Sequence, residues 1–414
     1  MLKSPGMTLR MKHNEPTTDG YRWRLLIAVF VVMMIISIYQ YSWFLFAYSL
    51  RKLFQWSLPT VGLTFTVFTY TATFIQPFSG YIADSYGPRR VATAASVLVG
   101  IGLILASTAA TPLLLHLYYG IGGIGVGVLY GISTACAIKW FPDRRGFAVG
   151  LVVFGFGAGT AIFNWFIQQL LETRGFQATL TYLGFAMLAI LIPLSFFYRY
   201  PQKRGGGSTV PLQNATDTPS DYPPTRMLRT YQWYLIYFSF IFTVSIVLMF
   251  GAQMNMVAKE FDLPKHYFNI LLILFPLGNG LSRVFAGTIS DRIGRERTMV
   301  IFYSLLALSI FCFVLFAGIH WLFVVIVFIA ALLGGAPFAL YPATIGDYYG
   351  PRYSTTNYGI TYTAKAFAGL ISGWLSGYLV MKFGSFTLPL IVVACCSLLA
   401  AVASLPVFMR PPKR

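Results

Sequence analysis

Twelve stretches of this chain are apolar for the length that a lipid bilayer demands, and that feature decides what the chain can fold into. A hydrocarbon core of about 30 Å takes about 20 residues of α-helix at about 1.5 Å rise per residue. Runs of that order lie at approximately 25–50, 59–83, 91–111, 112–138, 147–171, 178–199, 232–257, 267–289, 298–318, 321–344, 356–381 and 386–408. Lipid offers no partner to backbone N–H and C=O groups, so each continuous run must close its hydrogen bonds internally as a helix. The expected fold class is an all-α membrane protein of twelve transmembrane helices, arranged as two six-helix bundles.

Composition agrees: of 414 residues 57% are apolar and only 10% charged, which excludes an ordinary soluble domain. The net charge of +18 does not mark a nucleic-acid binder, because the charge sits in loops between apolar helices rather than along a solvated groove. It reports topology. Of the 30 Lys and Arg residues, 22 fall in the N-terminal tail, the loops after even-numbered helices and the C-terminal tail, 6 in the opposite loops and two inside helices. The positive-inside bias places both termini in the cytoplasm of a plasma membrane protein, or of a cell inner membrane if the source is bacterial. Residues 1–24 then form a cytoplasmic tail without a cleavable signal pattern, 25–199 the N-terminal bundle, 200–231 a linker, 232–408 the C-terminal bundle and 409–414 a short tail. The linker segment "RGGGSTVPLQNATDTPSDYPPTR" has flexible-linker composition, and its Asn214-Ala-Thr triplet, being cytoplasmic, is not a glycosylation site. Cys136, Cys312, Cys395 and Cys396 lie in apolar runs without metal-type spacing and are expected as small buried hydrophobes. No metal or cofactor is expected, and a monomer suffices.

An internal repeat supports the division into halves. "GYIADSYGPRR" at 80–90 returns as "GTISDRIGRER" at 287–297, each closing the second helix of its half, with Gly, Asp, Gly and Arg in register.

This duplicated loop resembles the signature of the major facilitator superfamily. "IYQYSWFLFA", "VLYGISTACAIKWFPDRRG", "MLRTYQW", "NGLSRVFAGTISDRIGR" and "NYGITYTAKA" resemble, more narrowly, the oxalate/formate antiporter family, a neighbour of the monocarboxylate transporters. The resemblance implies alternating-access transport. It implies a gating role for Asp84, Arg89, Arg90, Asp291 and Arg295 at the ends of neighbouring helices, against the simpler reading that they set topology and cap helices. It also implies that an arginine of the eighth helix and a lysine of the eleventh grip a carboxylate substrate; here these are Arg283 and Lys365.

The residues lead to the same pair independently. All twelve Asp and Glu residues fall outside the cores of the apolar runs, so the membrane interior holds two cations and no anion. A cation at that depth is costly unless paired, and an anionic substrate is the economical partner. Arg283 lies eight residues before Asp291, or about 12 Å from the cytoplasmic helix end, and Lys365 about nine residues into the eleventh helix, or about 13 Å. Both therefore reach the midplane. Two alternatives stay open: Lys365 could snorkel, and Arg283 could bond backbone carbonyls instead.

Tyr130 and Asn279 fall at similar depth and Tyr362 one turn from Lys365, while Gln40, Tyr41, Phe338 and Tyr341 join the candidate substrate site by resemblance. The pattern departs from the oxalate exchanger at the wall: Gly334 and Tyr362 stand where that family has tryptophans, and Phe338 where it has a tyrosine, which predicts a roomier pocket on the tenth-helix side. Glycine runs "GIGGIGVGVLYG" and "GFGAG" are expected to serve close helix packing, not dinucleotide binding. His116 and His320 are expected at the outer interface. With no nucleophile, base or metal cluster beside the cations, the chain is not expected to be an enzyme. The sequence reading is a secondary transporter of small organic anions, favouring carboxylate antiport over proton-coupled monocarboxylate symport because the interior lacks a titratable acid; a non-transporting sensor on the same fold is the other class.

Overall fold

The computed structural model describes residues 18–141, 145–201, 222–350 and 353–412. Most of the expected N-terminal tail (1–17) and linker (202–221), the last two residues and the side chain of Asp84 lie outside the described residues.

Ten helices are long and apolar enough to span a membrane. One of them, Phe147–Ser195, is two spans joined at Gly175, whose φ of 78° and ψ of 176° break the helix, and the shorter apolar helix Thr387–Ala403 completes the set of twelve. The first span comprises α1 (Thr18–Ile36), α2 (Ile38–Tyr41) and α3 (Trp43–Phe54), and the second α4 (Leu58–Phe74) and α5 (Gln76–Tyr86). The third and fourth are α6 (Pro88–Ser107) and α7 (Pro112–Trp140); α8 (Arg145–Ala158) and α9 (Thr160–Ser195) supply the fifth and sixth. After a short α10 (Pro224–Met227), the seventh to ninth spans are α11 (Tyr231–Glu260), α12 (Lys265–Ile293) and α13 (Arg295–Phe316). The tenth is α14 (His320–Gly334) with α15 (Pro337–Tyr349); the eleventh is α16 (Ser354–Tyr362), α17 (Ala364–Leu370), a π-turn over Ile371–Leu375 and α18 (Ser376–Phe383); the twelfth is α19 (Thr387–Ala403). The twelfth helix stops five residues short of the 408 expected, because Pro406 cannot continue it.

The repeated loops show why their glycines recur. Gly87 and Gly294, equivalent in the repeat, sit at helix junctions with φ of 84° and 95° and ψ of 138° and 155°, in or near a region that only glycine occupies without strain.

Small residues let the helices approach within each bundle. A Cβ on Gly102 would fall 2.6 Å from Gly122 Cα, and one on Gly125 would fall 2.5 Å from the Ala95 carbonyl oxygen, so α6 and α7 pack backbone to backbone. Tyr39 Oη donates to the Val99 carbonyl at 2.5 Å and Tyr119 Oη to the Tyr39 carbonyl at 2.8 Å, which satisfies the polar ends of two buried rings inside the N-terminal bundle. The two bundles meet along α4 with α17 and the π-turn, where Thr66 Oγ1 donates to the Gly369 carbonyl of α17 at 3.1 Å, and along α8 and α9 with α12. At that second seam a Cβ on Gly157 would lie 2.8 Å from Gly280 Cα.

Three corrections to the sequence reading arise from packing. His116 is buried, with Nδ1 2.8 Å from Thr64 Oγ1, and does not face the interface. Of the four cysteines only Cys136 is buried; Cys395 is exposed. Gly334 does not open the tenth-helix wall: Val247 of α11 fills the space, so that a Cβ would lie 2.1 Å from its Cγ2.

Candidate functional site: a two-cation cage between the bundles

Breaks in the helices converge on one level of the molecule. The first span breaks at Ser37 and Ser42, on either side of Gln40 and Tyr41; α8 ends just beyond Phe156; the tenth span breaks at Gly335 and Ala336, just before Phe338; the eleventh tightens at Thr363, between Tyr362 and Lys365. The apolar runs themselves predict unbroken helices. Discontinuous helices at mid-depth free backbone groups and aim side chains into the interior, which membrane proteins tolerate only where protein or a polar cavity covers them.

At this level the C-terminal bundle supplies both cations. Arg283, on α12, is 5% exposed and Lys365, on α17, 3% exposed. Their charged ends share a ring: the Arg283 guanidinium carbon lies 4.9 Å from the Phe338 centroid and Lys365 Nζ lies 6.0 Å from it. Lys365 also lies 5.5 Å from the Tyr362 ring and 5.7 Å from that of Phe156, within cation–π range. Its one hydrogen bond among the described residues is a long one, to Tyr362 Oη at 3.4 Å, though an ammonium carries three donors.

Arg283 reaches across the seam: Nη1 donates to the Val153 carbonyl of α8, and Nη2 makes a long contact of 3.4 Å to Asn279 Oδ1. The carbonyl alternative left open by the sequence is therefore realised, and it joins the two bundles. Asn279 Oδ1 also accepts from Tyr41 Oη at 2.8 Å. Snorkelling of Lys365 is excluded by its burial among three rings.

The N-terminal bundle closes the cage with aromatic side chains. Tyr130 stacks on Tyr362 with centroids 6.1 Å apart and meets Phe156 edge-on at 5.1 Å, and Phe156 meets Tyr41 at 5.8 Å. Several buried polar atoms here have no hydrogen-bond partner among the described residues: both ends of the Gln40 carboxamide, Asn279 Nδ2, Ser282 Oγ and Arg283 Nε. A buried polar group left unpaired costs about 1–3 kcal/mol, so such a concentration of them makes this level the candidate place for a polar ligand.

Of the candidates read from sequence, Gln40, Tyr41, Tyr130, Asn279, Arg283, Phe338, Tyr362 and Lys365 come together at this level. Tyr341 does not touch the cations; its ring packs on Phe240 at 4.8 Å and on Tyr303 at 6.2 Å, behind the cage wall. Phe156 and the Val153 carbonyl were missed. Phe156 hides in "GFGAG", whose glycines carry the visible signal, and a backbone carbonyl leaves no trace in sequence. Asn164 was also missed, although a lone amide in "IFNWF" is a usable signal; it accepts from Ser42 Oγ at 2.6 Å and donates across the seam to the Leu272 carbonyl at 3.1 Å.

The loop residues hold helix ends within each bundle. Arg89 donates twice to the Phe196 carbonyl, at 3.0 and 2.7 Å, and Arg295 binds Asp291 at 2.6 Å and Asp347 at 3.0 Å. Arg90 is exposed. At the face opposite the termini, Lys265 Nζ pairs with Glu172 Oε2 across the seam at 2.8 Å, with the two side chains 60% and 40% exposed. So open a pair contributes about 0–1 kcal/mol and is readily exchanged. Deeper in, the seam is continuous as far as Arg283 and Val153, whereas a Cβ on Gly150 or Gly287, nearer the termini, would meet nothing within 4 Å.

A two-bundle, twelve-helix membrane protein with broken helices around a mid-depth polar site has the architecture of a secondary transporter. The family model of the Major Facilitator Superfamily matches residues 25–256 and 235–414, and the chain belongs to that superfamily. It is 31% identical to the oxalate:formate antiporter of Oxalobacter formigenes over 97% of each chain. It is 33% identical, over 92% of this chain and 94% of the relative, to an uncharacterized 38 kDa protein encoded in a 23S RNA operon of Thermoproteus tenax. Among solved structures, a D-xylose-proton symporter superposes with a TM-score of 0.73 at 16% identity, covering 95% of this chain and 99% of its own, a likeness of fold alone. The chain is a multi-pass membrane transporter and not an enzyme.

Proposed function

We propose that this transporter exchanges small carboxylates by alternating access, with Arg283 and Lys365 as the anion clamp. The carrying observation is that two buried cations share one aromatic cage with no carboxylate among the described residues to balance them. The relative that exchanges oxalate for formate supports a carboxylate as the cargo.

Both cations come from the C-terminal bundle, and the opposing wall is Tyr41, Tyr130, Phe156 and the Val153 carbonyl. A carboxylate would take Arg283 from that carbonyl, because it accepts two parallel bonds from the guanidinium fork and neutralises its charge, where the carbonyl is neutral and accepts from one nitrogen only. Lys365 would follow as a movable point charge, while the amide nitrogens of Gln40 and Asn279, unpartnered among the described residues, donate to complete the shell. Binding thus exchanges an inter-bundle bond for a substrate bond, which couples occupancy to the rocking of one bundle on the other. Two unpaired cations resist passage through the closed form, which favours exchange over net flux. The lysine and arginine bias supports cytoplasmic termini in a plasma or cell inner membrane, and the carrier needs no second copy.

The test is counterflow in proteoliposomes with labelled oxalate, formate, lactate and pyruvate, each with and without a pH gradient. Carboxylate-for-carboxylate exchange indifferent to the gradient is expected; stimulation by an inward proton gradient without internal carboxylate would mean symport. If Arg283→Gln and Lys365→Gln both leave uptake intact, the clamp is wrong.

A further inference from the structure

A cavity of about 430 Å³, with charged side chains in its lining, opens between the bundles at the face opposite the termini. Tyr48 and Lys52 of α3 and Gln168 and Glu172 of α9 line one side, and Lys259 of α11 and Lys265 of α12 the other. Three ammonium groups face one carboxylate, which leaves two positive charges over. Lys259 rests over the Tyr48 ring at 4.6 Å, and neither it nor Lys52 has a carboxylate partner among the described residues.

Glu172 shows what this wall holds. Its carboxylate accepts from Lys265 Nζ at 2.8 Å and from Gln168 Nε2 at 2.9 Å. Gln168 is 7% exposed, so the Nε2 of a buried amide fixes the carboxylate from behind while a solvent-facing lysine grips it from the front; its Oε1 has no hydrogen-bond partner among the described residues. The chain's own side chain occupies a ready-made carboxylate cradle. It does so in the contact that ties α9 to α12 across the seam, and a contact so exposed is exchangeable.

We infer that this cavity is a second, weaker site for a small dicarboxylate, and that its occupant displaces Glu172 from Lys265 and so unties the bundles at that face. Two uncompensated charges match a dianion, and a cationic funnel raises the local concentration of such a substrate above the central cage and speeds its capture. The inference rests on the carboxylate reading of the central site, but its test is arranged to stand apart from it.

Spin labels at Arg174→Cys and His266→Cys, on exposed positions flanking the pair, report the separation of α9 from α12. The measurement is made on full-length protein in which Arg283→Gln and Lys365→Gln disable the central clamp, with oxalate as the dicarboxylate probe. Oxalate is expected to lengthen the distance, formate to do so only at concentrations at least about tenfold higher, and Glu172→Gln to lengthen it without any anion. No change with oxalate overturns the inference whatever the clamp does, and equal potency of formate overturns the dianion assignment. Exchange in oriented proteoliposomes supplies the second readout on the intact clamp. Lys52→Gln with Lys259→Gln is expected to raise half-saturating oxalate about fivefold on that side only, with an unchanged maximal rate and a flattened dependence on ionic strength. An equal rise on both sides, or none, sinks the proposal.

Discussion

Tyr41 in the N-terminal bundle donates its hydroxyl to Asn279 Oδ1 in the C-terminal bundle at 2.8 Å, and the same oxygen faces Arg283 Nη2 at 3.4 Å. One amide oxygen therefore connects a tyrosine of one bundle to a cation of the other. Tyr41→Phe removes the donor while Asn279 keeps a cationic neighbour, so the loss is about 1 kcal/mol, a factor of about five in the closed population. The expected result is a several-fold change in half-saturating oxalate with thermal unfolding shifted by only a few degrees. A collapse of the melting temperature instead would make Tyr41 structural.

Arg283 is expected to need its shape as well as its charge. Its fork reaches the Val153 carbonyl with one nitrogen and Asn279 with another, a geometry an ammonium cannot copy. Arg283→Lys should retain less than about a tenth of the exchange rate at saturating oxalate, about 1.4 kcal/mol or more. Lys365→Arg should be the milder swap only if the cage of Phe156, Phe338 and Tyr362 can admit the larger group, which a binding titration in detergent will decide.

The glycine contact of Gly157 with Gly280 limits how closely the bundles approach at mid-depth. Gly280→Leu should hold them apart there and bias the carrier towards opening at the face opposite the termini. A cysteine introduced at Ser49, in the wall of the second cavity, should then react faster with an impermeant maleimide, and exchange should fall. Unchanged labelling would show that the seam closes elsewhere.

Lys265, donating to Glu172 at the solvent-exposed helix end just before the Gly175 break, holds that carboxyl below the usual carboxylate range, with partial burial opposing and the Gln168 amide assisting. A depressed pKa means that the pair is fully present above the unfolded value of about 4.3 and is lost as pH falls through the lower folded one. Protection of the same Ser49→Cys probe should be flat from about pH 8 to about pH 5 and weaken only below about pH 4. Opening between about pH 5 and about pH 7 would assign closure to another group.

Gly294, at φ 95° and ψ 155°, carries a backbone conformation nearly closed to other residues. Gly294→Ala should cost about 1–3 kcal/mol, read as a lower unfolding temperature with oxalate affinity retained.

The sequence by itself determined the number of spans, the two-fold repeat and the presence of two cations in an interior without acids, because span length, composition and charge are properties of local segments that lipid reads one helix at a time. It also placed Arg283 and Lys365 at one depth, since rise per residue is constant along a helix. What faces what was decided by the tertiary structure. Gly334 read as room in a wall, yet Val247 fills that room from another helix; Tyr341 read as site and lies behind Phe240; Phe156 read as packing and stands against Lys365. The Val153 carbonyl and the pairing of Glu172 with Lys265 join bundles separated by a linker, and the helix breaks that aim Gln40, Phe338 and Lys365 inward exist only because neighbouring helices cover the freed backbone. Rotation of a helix about its axis and the partner across a seam are set by packing over long sequence distances, which no local pattern encodes.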